Sequence, residues 1–323
     1  MENKMESPIR RILGNRALES AGVTINELAK ITGISNTYFN YIRSGKIKKP
    51  GRDKLITIGG GLNYSLAEID GLLQDNNYMR VMEKDVDIII TAAKRRQITG
   101  FQPLYENINY PVLLLSLDNL PGKKIVVNKK PSSTLESPEY LLFRDTLRSR
   151  EKENPMYHQL KRAILLERKK LLDRTLAKYE VHHLVCFDCF NTYVKRSQNS
   201  HKEKQFIIEH LQGLLKYLEH PRYRFNLIDQ CPRLRFVMKV LPNRIHDKNK
   251  MIFTGYGEHR HVFDRHNMID FRDRLFGIAT DSPKFFDRFM AEFEELKRNF
   301  IRPDSASPQK VKDYINKIIK GLR

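Results

Sequence analysis

Apolar positions in residues 7–73 recur at three- and four-residue intervals in short bursts, most of them closed by a glycine. "RRILGNRALESAG" spaces Ile12, Ala17 and Ala21 for one helix face and ends on Gly22. "INELAKIT" runs into Gly33, and "NTYFNYIRSG" stops at Gly45. After Pro50-Gly51, "RDKLITIGGGLNYSLAEIDGLLQ" gives two more helical pieces, the last starting at Ser65. Thr24 and Glu27 fit a capping box, and Ser35 fits an N-cap. Five short helices are therefore predicted in an all-α segment. Its "GGG" at 59–61 suggests an early helix end, because each helical glycine costs about 1 kcal/mol.

Residues 76–155 carry a different pattern. "DVDIIITAAKRRQITG" fits a strand or a buried helix, and "YPVLLLSLDNLPGKKIVVNKKPSS" predicts two strands about a Pro-Gly turn. "PSSTLESPEY" is loop-like. From Met156 the periods sharpen. A long amphipathic helix over 156–180 precedes a strand-like "VHHLVCFDCFNTYV", and "EKQFIIEHLQGLLKYLEH" is again helical. Three strands are predicted at "LRFVMKVL", "KMIFTGYG" and "RHVFDRHNMIDF". A helix capped at Ser282-Pro283 and another over 307–322 close the chain. The expectation is multidomain: a helical domain over 1–75, a linking module with a few strands over 76–155, and an α/β (α+β) domain over 156–323.

Charge narrows the partners. The chain has 58 Lys/Arg against 38 Asp/Glu, a net charge of +20, which favours a polyanion. The excess is spread along the chain: 11 basic against 8 acidic residues in 1–75, 12 against 8 in 76–150, and 35 against 22 in 151–323. It is not a basic tail on a neutral body. Three cysteines are too few for a disulfide framework and fit a reducing, cytoplasmic setting. The polar "MENKMESPIRR" lacks a signal peptide's apolar core, and the longest apolar runs are too short to span a bilayer.

The stretch "TINELAKITGISNTYFNYIRSGKIKK" concentrates the candidate chemistry. Ala29 is small where a second helix would cross, Gly33 tolerates positive φ at the turn, and Phe39 and Ile42 are apolar anchors beyond it. The outer face then carries Asn36, Thr37, Asn40 and Tyr41. This pattern, with its flanks over residues 8–73, resembles the Cro/repressor-type (XRE) helix-turn-helix family. The resemblance implies a five-helix DNA-binding domain whose second motif helix reads bases through those four residues. It also implies binding as twofold pairs, with a homodimer assembled by the rest of the chain. Where the family often has a supporting Gln at the start of the first motif helix, this chain has Ile25, which cannot hydrogen-bond. Arg43, Lys46, Lys48, Lys49, Arg52 and Lys54 follow within twelve residues, opposed only by Asp53. Ser35, Arg43, Lys46, Lys48, Lys49 and Arg52 are the expected contacts to the DNA backbone.

Beyond residue 75 the signals are weaker. All ten histidines lie after residue 157. His182 and His183 precede Cys186 and Cys189, with Cys231 further on, but in a continuous strand the first two cysteines would face opposite ways. They are expected to be small buried hydrophobes, with no metal and no cofactor. "GEHRHVFDRH" offers His259, His261, Asp264 and His266, for which exposed polar residues are the plainer use. The order of elements in the last domain bears a weak resemblance to phospholipase D-like sensor domains. Their catalytic His-x-Lys pattern has a counterpart in His246 and Lys248, but Phe253 stands where the Asp belongs, which implies a catalytically inactive relative. No P-loop, dinucleotide fingerprint or Gly-x-Ser-x-Gly occurs.

The sequence thus points to a non-enzymatic, DNA-binding transcriptional regulator, with repression the expected mode. Its last domain would dimerise, through the helices at 156–180 and 307–322, and has room for a small-molecule or protein effector. The competing readings are a nucleic-acid-processing enzyme targeted by the helix-turn-helix and an antitoxin-like interaction module.

Overall fold

The computed structural model describes residues 9, 13–14, 18, 23–62, 64–96, 98–105, 109–148, 155–232, 234–242, 249–255 and 275–323. The chain forms two compact units. The first comprises Met1–Gln97, Glu106–Ser116 and Asn154–Ile164, and the second Ile98–Tyr105, Leu117–Glu153 and Leu165–Arg323. The segment 76–155 is not a unit of its own but is divided between the two. Helix and sheet are both present, and no helix among the described residues is long and apolar enough to cross a membrane.

The first unit is helical: α1 (Ile25–Thr32), α2 (Asn36–Arg43), α3 (Arg52–Gly61), α4 (Leu66–Asp75) and α5 (Val86–Arg95). Upstream, Ile12, Ala17 and Ala21 lie outside the described residues. Ile9, Leu13 and Leu18 are buried, and the Leu13 amide donates to the Ile9 carbonyl. The "DIII" run, open to either reading in sequence, is helix α5 and buries Val86, Ile89, Ile90, Ala92 and Ala93. Helix α3 continues through Gly61, so the expected early stop does not occur. The glycines are there for packing. A Cβ on Gly59 would stand 2.8 Å from Ile69 of α4, and one on Gly61 would stand 2.9 Å from both Leu28 and Thr32 of α1.

Two further helices, α6 (Asn109–Asn119) and α8 (Pro155–Lys178), begin in the first unit and end in the second. Helix α6 corrects the strand expected at "YPVLLLSL". Val112 to Leu117 are all buried, and an apolar run buried on every side has no period to separate helix from strand.

The second unit is built on a seven-stranded mixed sheet. Its strands are β1 (Phe101–Tyr105), β2 (Lys123–Asn128), β3 (Val181–Cys186), β4 (Tyr223–Ile228), β5 (Leu234–Val240), β6 (Lys250–Gly255) and β7 (Leu275–Thr280), in the order β1-β7-β6-β5-β2-β3-β4. The β2-β3-β4 portion is parallel, and the other pairings are antiparallel. Helices α7 (Pro138–Arg148), α9 (Phe187–Lys195), α10 (His201–Leu218), α11 (Pro283–Asn299) and α12 (Pro308–Leu322) complete the unit.

Side chains alternate between two cores. Val181, Val185, Phe225 and Leu227 join Phe190, Leu211, Leu214 and Ile315 on one face. Leu184, Ile125, Phe236 and Met238 meet Phe286, Phe289 and Phe293 of α11 on the other. All six residues of β3 are buried, as a central parallel strand requires. Strands β1, β4 and β7 were not foreseen, and the one expected at "RHVFDRHNMIDF" lies outside the described residues.

Charged groups are buried at the start of β2. The Asp118 carboxylate meets Lys124 Nζ at 2.6 Å and Arg168 Nε at 2.7 Å. Burial alone would raise its pKa, but these two cations outweigh burial and hold it down to about 2. Lys239, which pairs with Lys124 in the β2–β5 register, is fully buried. It donates to Thr175 Oγ1 at 3.0 Å and to the Gly122 carbonyl at 3.4 Å. Burial, reinforced by the Lys124 charge, lowers its pKa to about 7.

Two predictions follow from this packing and charge burial. Gly61→Ala should lower the urea midpoint, because the new methyl overlaps α1. Gly71→Ala, at a half-buried position of α4 with open space at its Cβ, should raise stability by about 0.5–1 kcal/mol. Between pH 7 and 10.5 the unfolded chain holds a proton on Lys239 that the folded chain has released. The unfolding free energy should therefore rise with pH across that window. Urea titrations at several pH values should show a shallower rise in Lys239→Met; parallel curves for parent and variant would refute the assignment.

Candidate nucleic-acid interface

Helices α1 and α2 are fixed by their caps. Thr24 Oγ1 accepts from the Glu27 amide while the Glu27 carboxylate accepts from the Thr24 amide, closing the expected box. Gly33 ends α1 at φ 69°, the left-handed region that favours glycine. Its amide donates to Ala29 O. Ser35 Oγ then accepts from the Tyr38 amide and starts α2 after a turn of only three residues. Phe39 and Ile42 are completely buried, as are Leu28 of α1 and Leu55 of α3. With that face of α2 pinned, Ser35, Asn36, Thr37, Asn40 and Tyr41 are left exposed on the other.

One contact among these residues was not anticipated. Asn36 Nδ2 donates to Asn26 Oδ1 at 2.8 Å, tying the start of α2 to the first turn of α1. The apolar Ile25 drew attention away from its polar neighbour. The pair leaves Asn36 Oδ1 and one amide hydrogen facing solvent.

The basic cluster divides in two. Lys46, Lys48 and Lys49 are exposed and Arg43 is half-buried. Ammonium groups lie over tyrosine faces: Lys46 over Tyr41 at 5.0 Å, Lys49 over Tyr78 at 4.5 Å, and Lys54 over Tyr38 at 5.1 Å. Lys46 and Lys54 thus lie against tyrosines of α2, and Lys49 against the segment after α4. Arg52 differs. Its guanidinium grips both oxygens of buried Asp85 at 2.6 Å and donates to the Arg80 carbonyl at 2.8 Å. Asp85 also accepts the Met82 amide. Burial would raise the Asp85 pKa, but the Arg52 fork and the Met82 amide bring it below the usual carboxylate range. Arg52 is a brace between α3 and the start of α5, a use the charge run could not disclose.

The other candidates fall into place in the second unit. His182 and His183 point to opposite faces of β3. His182 Nε2 bonds the Glu180 carboxylate at 2.9 Å, and His183 Nδ1 bonds the Tyr223 hydroxyl at 3.2 Å. Burial lowers both, His183 to about 3, so each is a neutral structural histidine at pH 7. The strand expected through "VHHLVCFDCFNTYV" ends at Cys186, and α9 begins at Phe187. The opposite-face argument for Cys186 and Cys189 therefore fails: their sulfurs and that of Cys231 lie within 4.8 Å of one another. His259, His261, Asp264, His266, His246 and Lys248 lie outside the described residues. Phe253 packs on Phe289 with ring centres 5.2 Å apart. The two helices expected to dimerise have apolar faces occupied within the unit: Leu172 and Leu176 of α8 and Val311, Ile315 and Ile319 of α12 join one core.

Because Arg52 braces and the lysines do not, their substitutions should separate. Arg52→Ala should destabilise the chain by about 3–5 kcal/mol, since it strands a buried carboxylate. Lys48→Ala should stay within about 0.5 kcal/mol of the parent. Chemical denaturation of both variants at pH 7 measures the difference. No protein-family model, curated protein or solved structure matches the chain.

Proposed function

We propose that this chain is a sequence-specific, double-stranded-DNA-binding transcriptional regulator. In this reading α1 and α2 form the helix-turn-helix of a Cro/repressor-type (XRE) domain. The observation that carries it is the two-sidedness of α2: Phe39 and Ile42 are fully buried while Asn36, Thr37, Asn40 and Tyr41 are exposed, with the ammonium groups of Lys46 and Lys54 over Tyr41 and Tyr38. A helix held so firmly by one side presents fixed hydrogen-bonding groups on the other, which base reading requires. Asn36 and Asn40 have the amide geometry for adenine edges, and the Thr37 methyl suits a thymine methyl. Asn26 holds the Asn36 amide, supplying the polar support that Ile25 cannot.

Ser35, Arg43, Lys46, Lys48 and Lys49 take the phosphate backbone, and Arg52 is left out of that set because Asp85 holds it. Phosphate contacts set register and affinity without reading sequence. The chain acts as a homodimer on a twofold site. Pairing uses surface other than the apolar faces of α8 and α12 that are spent internally. The second unit provides oligomerisation and an effector site, and repression is by occlusion.

The test is selection of genomic fragments by the purified chain at two salt concentrations, alongside Asn36→Ala/Asn40→Ala. An enriched inverted repeat, lost in the double variant, is the expected result. Lys48→Ala or Lys49→Ala should weaken binding to all sequences alike and reduce the slope of log affinity on log salt by about 1. Salt-dependent binding with no enriched motif would sink the reading.

A further inference from the structure

The three cysteines of the chain come from separate places and meet. Cys186 is the last residue of β3, Cys189 lies in the first turn of α9, and Cys231 follows the end of β4 by three residues. Their sulfurs all lie within 4.8 Å of one another, and Cys189 Sγ is 3.6 Å from Cys231 Sγ. Four-coordinate zinc with metal–sulfur bonds of about 2.3 Å places its sulfurs about 3.8 Å apart. The observed spacing brackets that value, so small side-chain rotations suffice to close the site.

Position strengthens the argument. Strands β2, β3 and β4 run parallel, and the cluster lies beyond the carboxyl ends of β3 and β4. In open α/β sheets ligands gather outside the carboxyl ends of strands. The cluster is also graded in exposure: Cys186 is buried, Cys189 is half-buried and Cys231 is exposed. It can be entered from solvent while its inner ligand is held by the core.

We propose that Cys186, Cys189 and Cys231 form a binding site for one thiophilic d10 cation of the zinc class, bound by three thiolates with a fourth position open to solvent. Three negative sulfurs this close repel one another in the absence of a cation, so binding and loss of the three thiol protons occur together. Zn2+ keeps its charge and each thiol releases one proton, with no electron transferred. Soft thiolates select zinc-like ions over magnesium or calcium. A redox pair would need only two of the sulfurs, whereas the cation accounts for all three. The helix start contributes too: the N-terminal end of α9, where Cys189 sits, favours negative charge. This site stands independently of the DNA-binding proposal.

The test uses the full chain, reduced and freed of metal, with Co2+ as the spectroscopic probe and Zn2+ as competitor. One Co2+ per chain should bind with intense visible bands of tetrahedral geometry and a sulfur-to-metal charge-transfer band, and Zn2+ should bleach both. Cys231→Ser changes an exposed position and should leave the circular-dichroism spectrum intact. It should weaken binding more than about 100-fold, the upper end of what even outer-shell losses cost. X-ray absorption on the unaltered zinc-loaded chain gives a second readout, with three sulfurs and one lighter atom expected around the metal. Absence of uptake, an octahedral spectrum, equal binding by Cys231→Ser, or fewer than three sulfurs at the metal would each overturn the proposal.

Discussion

The last turn of α3 carries no side chains, and the geometry of the first unit depends on that. Gly59 and Gly61 leave no room for even a methyl group against Ile69 of α4 and Leu28 and Thr32 of α1, and Gly60 approaches Ala92 of α5 closely. Three helices therefore converge on one stretch of bare backbone. Glycine in a helix interior costs backbone entropy, and close contact returns dispersion energy from a dense interface. Helix α2 inherits the result. It is tied to α1 by a three-residue turn and by the Asn26–Asn36 bond, so any displacement of α1 from α3 would be transmitted to the exposed face of α2. The Arg52–Asp85 fork holds the other end of α3 to the start of α5. The asparagines owe their placement in part to the buried glycines of α3 and the side chains packed against them.

The second unit solves a different problem, since β2 must pair in parallel with β3 on one side and antiparallel with β5 on the other. A strand in that position has to be specified in register, because a slip of one residue turns every side chain to the opposite face. Lys124 supplies the specification. In the observed register its ammonium reaches Asp118, which also holds Arg168 of α8. A slip would take Lys124 from Asp118 and leave a buried ammonium without its carboxylate. Such networks add little net stability compared with an apolar core, and breaking one is costly, so they discriminate between registers better than they stabilise. Lys239, opposite Lys124, is the consequence of placing two lysines side by side in a dry sheet: one of them gives up its proton near neutrality.

Much of the helical unit could be read in advance because its signals are local. The Thr24–Glu27 box, the Gly33 turn and the alternation of Phe39 and Ile42 with polar positions each depend on residues within a few places of one another. The exposed set on α2 lies where its spacing put it. What escaped was non-local. Nothing near Arg52 in the chain announces Asp85, and the charge run around Arg52 suggested the opposite use. The run from Val112 to Leu117 gave no period because burial on all sides removes the polar positions that would mark one. Strands β1 and β7, which pair across most of the chain's length, become recognisable only when they meet.

The cysteines show how one wrong boundary hides a site. Carried on as a strand to Val194, "VCFDC" sends Cys186 and Cys189 to opposite faces, and the chemistry disappears. End the strand at Cys186, and the period changes from two to 3.6 at that residue, so positions i and i+3 fall on the same side of the first helical turn. A parallel strand must end in a connection that carries the chain back across the sheet face, and a helix starting at once is the shortest way to begin it. The fold therefore converts a Cys-x-x-Cys at a strand end into two convergent sulfurs. The neighbouring parallel strand, returning in register two layers of sequence later, ends beside them and delivers Cys231. A cation ligated at this point would join β3, α9 and the segment after β4.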